Sequence, residues 1–214
     1  VVQFQVEEQP TGDFSAGVGY SSIDETTLRL GIKERNFLGT GRATNFSLST
    51  SGTRTDYRIG ITEPYLFDRN LMGGVELFNE KVKETSAEIE TQGLAATASF
   101  NAARDYYHRF GYEYVSKNTK QESSNATSVT GDEGKTITES AISYTVGRDT
   151  LNNRFDPSEG YLFEAKQDYS GVGGDVNYLR SMLSAKYYKP YLFNSIVLGV
   201  RGKYGFVNGI DEKV

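Results

Sequence analysis

The sequence contains no cysteine and no tryptophan, only 2 methionines and 4 prolines, and a single histidine, His108, among 214 residues. Without thiols there is no disulfide framework and no thiolate metal site, although this fits both an envelope protein and many cytosolic ones. One imidazole gives no basis for a Ser-His-Asp triad or a multi-histidine metal centre, so a surface or rim position suits His108 better than a ligand role. No run approaches the roughly 18 consecutive apolar residues that a membrane helix needs. No charged-then-apolar leader opens the chain, which on a membrane reading implies a processed or excised segment. Charge is also short on one side: 23 Lys plus Arg against 28 Asp plus Glu leave a net charge of -5, which argues against nucleic acid as a partner.

In excess are 23 glycines, 15 tyrosines and 12 phenylalanines. Tyrosine joins an apolar ring to a polar tip and suits a boundary between hydrocarbon and water. Glycine in strands lets a sheet bend and leaves room inside a narrow lumen. A mean hydropathy of -0.51 is compatible with membrane strands, because lipid-facing and lumen-facing residues alternate and average to a polar value.

Period-two alternation dominates, in windows close to the ~10 residues that a tilted membrane strand requires. Phe14, Ala16, Val18 and Tyr20 alternate with Ser15, Gly17, Gly19 and Ser21. Leu28, Leu30 and Ile32 oppose Arg29, Gly31 and Lys33; Phe46 and Leu48 oppose Asn45, Ser47 and Ser49; Tyr57, Ile59 and Ile61 oppose Arg58, Gly60 and Thr62. The same parity runs through windows around Val75 to Leu77, Leu94 to Phe100, Arg109 to Tyr114, Ile142 to Gly147, Phe163 to Lys166, Leu179 to Ala185 and Ile196 to Tyr204. The count predicts eleven antiparallel strands, all-β, with apolar groups toward lipid and small or ionic groups toward a wet interior. A soluble β-sandwich also alternates, but Gly, Ser and Thr mixed with Arg, Lys and Glu at mid-strand suit a confined lumen better than a solvated face.

Long connections at one rim and short turns at the other are expected of such a barrel. The longest, about Ser116 to Lys135, reads as an exposed loop and contains the glycosylation-like Asn125-Ala126-Thr127, given little weight in a bacterial setting. Opposite it, Asn36 to Gly41, Glu63 to Asn70 and Lys189 to Asn194 are compact, and two of them carry a Pro-Tyr-Leu-Phe string, Pro64 to Phe67 and Pro190 to Phe193. Those rings belong at an interfacial belt.

Bacterial barrels use even strand numbers, so eleven strands predict a transmembrane β-barrel truncated before closure, with unpaired backbone at both edges. Val1 to Glu8 reads as a strand of a preceding module, with Pro10 and Gly12 as hinge; the expected division is 1–9 for that module's last strand and 10–214 for the N-terminal part of the barrel.

Chemical sites are scarce. Asp149, Asn152, Asn153, Asp156 and Glu159 are oxygen-rich, yet lack the glycine-centred pattern of a calcium loop and read as a solvated turn. Glu7 and Glu8 point to opposite faces of a strand. Gly171, Gly173 and Gly174 have no following helix and read as loop flexibility. The expectation is therefore no catalytic residue, no metal and no cofactor. Ten ionic residues are expected to line the lumen as a cross-strand network: Arg29, Lys33, Arg58, Glu76, Arg109, Glu113, Glu164, Lys166, Arg201 and Lys203.

Several strings carry a resemblance: Val6-Glu7-Glu8 before Pro10-Thr11-Gly12, Gly17-Val18-Gly19-Tyr20, Asn36-Phe37-Leu38-Gly39-Thr40-Gly41, Glu63-Pro64-Tyr65, and Arg148-Asp149 through Arg154-Phe155-Asp156-Pro157-Ser158-Glu159-Gly160. Together they resemble the BamA family of outer-membrane protein assembly factors, across the whole chain. The resemblance implies an even-numbered barrel of about sixteen strands behind periplasmic POTRA domains in the bacterial outer membrane, of which about eleven are present here. It also implies unfolded outer-membrane proteins as clients, outer-membrane lipids and accessory lipoproteins as partners, and the first strand as a lateral gate: Gly12, Asp13, Phe14, Ser15, Ala16, Gly17, Val18, Gly19 and Tyr20. The open alternatives are a polypeptide-exporting or autotransporter-assembling barrel of the same superfamily and a passive porin-like channel.

Overall fold

A computed structural model describes residues 10–84, 87–121, 136–192 and 196–210. Val1 to Glu8 and Asn125 to Thr127 lie outside the described residues. Eleven strands form one open sheet in sequence order, every neighbouring pair antiparallel. They are β1 (Gly12–Ser21), β2 (Glu25–Glu34), β3 (Ala43–Thr50), β4 (Arg54–Glu63), β5 (Met72–Lys83), β6 (Ala87–Ala103), β7 (Tyr106–Gln121), β8 (Thr136–Asp149), β9 (Gly160–Ser170), β10 (Tyr178–Tyr191) and β11 (Ile196–Gly209). Two short 3-10 turns, Phe37–Gly39 and Leu66–Asp68, are the helical elements among the described residues. No helix there is long and apolar enough to cross a membrane.

The register carries the alternation across the sheet. Phe14 faces Ile32, Ile32 faces Phe46, Phe46 faces Ile59, Ile59 faces Leu77, and Leu77 faces Leu94. Farther along, Ala98, Phe110 and Tyr144 share a row, as do Ala165, Leu183 and Tyr204. A period of two permits this only if no strand slips by one residue, since a slip would exchange the two faces.

Burial is inverted relative to a water-soluble protein. No hydrophobic side chain among the described residues is buried, whereas Thr145 and Asp168, on the opposite face, are only 6% and 3% exposed. With one sheet and no second layer among the described residues, the polar face can be the enclosed one only if the sheet curls toward it. The apolar rows then form the outside of the curl, where hydrocarbon covers them.

Connection lengths depart from expectation. On the rim where long loops were expected, β1–β2 and β3–β4 are joined tightly through Ser22–Asp24 and Ser51–Thr53. The opposite rim holds the longer links Arg35–Arg42, Pro64–Leu71 and Thr150–Glu159 beside the tight Arg104–Asp105. The longer links exist because 3-10 turns and side-chain caps organise that rim: Glu34 accepts from the Asn36 N–H at 2.8 Å, and Glu63 from the Tyr65 N–H at 3.2 Å. The predicted loop from Ser116 also starts too early. β7 pairs with β6 out to Gln121, with Ser116 opposite Gln92 and Gln121 opposite Ala87. At 17 and 16 residues, β6 and β7 exceed the ~9–11 residues that cross the hydrocarbon. Their ends therefore project into water, where polar residues such as Lys117 and Asn118 belong.

Candidate functional site

Two features of the fold can bind or template: the free edge of β1 and the enclosed polar face. β1 pairs with β2 alone among the described residues. Its register puts Phe14, Ala16, Val18 and Tyr20 in the outer row, and Asp13, Ser15, Gly17 and Gly19 in the inner one. A side chain added at Gly17 or Gly19 would meet nothing within 4 Å. Phe14, Val18 and Tyr20 are 71%, 76% and 81% exposed. β1 is held by its ladder to β2 and by the exposed Arg35–Asp13 ion pair at 2.6 Å. At Gly12 a side chain would collide with the Glu34 carboxylate, 2.9 Å away. An edge strand so placed presents a row of free N–H and C=O groups, the element that a second strand can join. β11 likewise pairs with β10 alone among the described residues.

All ten predicted ionic residues stand in the inner rows, opposite small or polar partners: Arg29 faces Gly17 and Ser49, Lys33 faces Asp13 and Asn45, Glu76 faces Gly60 and Ala95, and Glu113 faces Ala95 and Ala141. They do not form one continuous network. Arg58 bonds Asp56 at 3.0 Å and Glu76 at 3.4 Å. Lys166 and Arg180 converge on Asp168 at 2.8 and 2.9 Å. Glu164 accepts from the Tyr107 hydroxyl and from Ser184 at 3.2 Å. No ion pair among the described residues engages Arg29, Lys33, Arg109, Glu113, Arg201 or Lys203. A recess on this face gathers Arg109, Lys166, Lys186, Arg201 and Lys203 around Glu164, so its local charge is positive.

Asp56, Asp168, Tyr107 and Glu139, the last accepting from Tyr178, were missed as members of this face. Strand parity could have placed Asp56 and Asp168, which are even-numbered steps from Arg58 and Lys166. Tyr107, two residues from Arg109, shares that parity, but its ring looks like a lipid-facing group; the register sets it opposite Gly147 on the inner face. In the β8–β9 turn, Asp149 pairs with Arg154 at 2.9 Å, the Asn152 side-chain oxygen accepts from the Ser158 and Glu159 N–H groups, and that of Asn153 from Phe155. Those oxygens serve the turn itself. His108 sits in the outer row near the rim, stacked on Phe100 and 2.7 Å from the Tyr144 hydroxyl.

A single antiparallel sheet with an oily convex face, an ionic enclosed face and strands of membrane-crossing length is a segment of a transmembrane β-barrel. The chain belongs to the Omp85 superfamily, whose domain matches residues 36–213. It is 25% identical over 213 residues to the outer membrane protein assembly factor BamA of Neorickettsia risticii, covering 98% of this chain and 29% of that protein. It is 26% identical over 200 residues to the sorting and assembly machinery component 50 homolog of Mus musculus, covering 91% of this chain and 42% of the relative. Its fold matches the crystal structure of BamA from Haemophilus ducreyi lacking POTRA domains 1–3, with a TM-score of 0.77 at 20% identity over 95% of this chain and 42% of that one. The chain thus spans well under half the length of these relatives. It is a partial BamA-like chain of the bacterial outer membrane.

Proposed function

We propose that the protein containing this chain assembles and inserts β-barrel proteins into the outer membrane, and that β1 acts as the lateral gate and template edge. The observation that carries this reading is β1 itself, an edge strand exposed from Gly12 to Tyr20, with open space beside Gly17 and Gly19. Small residues weaken side-chain packing at a seam, so the backbone ladder there opens at lower cost than between bulky strands. Once open, its N–H and C=O groups pair with a client strand by β-augmentation, which needs no catalytic side chain. Hydrocarbon enforces the exchange, because each backbone group left unsatisfied in it costs several kcal/mol.

The test uses the full-length protein in phospholipid vesicles, scoring the folding of an unfolded outer-membrane client by its heat-modifiable migration. Ser15→Cys, cross-linked to a cysteine on the strand that faces β1 in the complete barrel, is expected to stop client folding, and reduction to restore it. Undiminished folding with the seam locked rejects the gate. Polypeptide released into the vesicle lumen instead of folded in the bilayer would favour an exporter of the same superfamily.

A further inference from the structure

We propose that Arg148, clasped between Tyr106 and Tyr161 on the outer wall of the sheet, is a binding site for the phosphate of a membrane lipid headgroup. The proposal is independent of the insertase reading.

Arg148 is the penultimate residue of β8 and faces Tyr106 on one side and Phe163 on the other. That row is lipid-facing: two residues away lies the row of His108, Val146 and Ala165, and beyond it that of Phe110 and Tyr144. Its guanidinium carbon lies 5.1 Å from the Tyr106 ring centre and 5.2 Å from that of Tyr161. No carboxylate among the described residues neutralises it. Its Nε is shielded from solvent and has no hydrogen-bond partner. At the same rim Arg42 lies 2.7 Å from Glu63, and Arg35 lies 2.6 Å from Asp13.

The arrangement restricts what can complete it. Two rings within cation–π distance favour the charged guanidinium, and an anion completes it at its in-plane edge, where the N–H donors point. That in-plane edge is the geometry of bidentate recognition of carboxylate or phosphate. The two rings favour a cation by their negative faces but do not discharge it. At the end of a lipid-facing row, where apolar residues give way to the Lys189–Tyr191 pair, the anion at hand is the headgroup phosphate. The hydroxyls of Tyr106 and Tyr161 have no partner among the described residues and stand ready as further donors to it.

The full-length protein in detergent is incubated with phosphatidylglycerol, or with diacylglycerol of the same chains, and bound lipid is counted by native mass spectrometry. The native protein is expected to retain phosphatidylglycerol in preference to diacylglycerol. R148Q should retain at least about five-fold less, and R148K an intermediate amount, since an ammonium keeps the charge but loses the planar fork. K120Q removes one charge from the far end of β7, at the opposite rim, and should leave retention unchanged. Heat-modifiable migration shows which variants are folded, and R148K keeps the comparison open if R148Q is not. Equal retention by native protein and folded R148Q overturns the site, as does equal binding of diacylglycerol. Unchanged lipid in R148Q with loss of a co-purifying protein would assign Arg148 to a protein contact and also overturn it.

Discussion

Two glycines on the inner face act as sockets for rings. A Cβ at Gly93 would lie 2.5 Å from the Tyr114 carbonyl oxygen and 2.6 Å from the tip of Phe78, which lies under the Arg58 guanidinium. A Cβ at Gly147 would collide with the Tyr107 ring, whose hydroxyl donates to Glu164. Gly147→Ala is therefore expected to expel Tyr107 and break that bond, at about 1–3 kcal/mol for overpacking. Tyr107→Phe keeps the ring and loses only the hydrogen bond, about 1 kcal/mol. Urea unfolding midpoints of the full-length protein in phospholipid vesicles measure both, and a Gly147→Ala midpoint no lower than that of Tyr107→Phe would mean that the ring is not seated there. In the sequence, glycine announces only that space is needed on a strand. Which ring fills it depends on the cross-strand partner, Phe78 opposite Gly93 and Tyr107 opposite Gly147, and register is a property of two strands, not one.

The hairpin turns show how an element can be legible in its position and unreadable in its form. Asn36–Arg42 and Tyr65–Leu71 fold alike: the Phe37 N–H reaches the Arg42 carbonyl at 2.8 Å, and the Leu66 N–H reaches that of Leu71 at 2.7 Å. Both put a bulky apolar residue in the left-handed region, Leu38 at φ 52° and Phe67 at φ 58°. The sequence marked both segments as compact turns and put aromatics at this rim, but no propensity rule selects Leu or Phe for positive φ, which costs an L-residue roughly 1–2 kcal/mol. Their side chains, 83% and 79% exposed, recover nothing by packing within the chain. Leu38→Asn and Phe67→Asn should consequently leave stability unchanged or raise it by up to about 1 kcal/mol, read as an unfolding midpoint that holds or rises, because Asn tolerates that conformation. A fall in the midpoint would show that these tips pack against something in the intact protein. Gly73 shows the contrast within one turn: Leu66 folds back onto it, 3.0 Å from where a Cβ would stand.

At the scale of the whole molecule, parity was the readable quantity, because membrane and lumen sort side chains strand by strand and a period of two survives in every window. Strand number, order and facing follow from it. Loop lengths and pairings within the ionic face do not, since both depend on where strands stop and on which acid stands across from which base, as with Asp168 between Lys166 and Arg180. The two faces should answer oppositely to the same charge. Leu77 stands in the outer row between Ile59 and Leu94, and Ala95 in the inner row between Glu76 and Glu113. Leu77→Arg puts a guanidinium into hydrocarbon, which costs about 2–4 kcal/mol near the midplane and less toward either interface. Ala95→Arg puts the same group between two carboxylates in a wet interior, where the expected change is within about 1 kcal/mol. Urea titrations of the full-length protein folded into phospholipid vesicles compare the two directly. If Ala95→Arg proves as costly as Leu77→Arg, or if Leu77→Arg costs nothing, the oily rows do not face lipid, and neither the gate nor the headgroup site can lie where this sheet puts them.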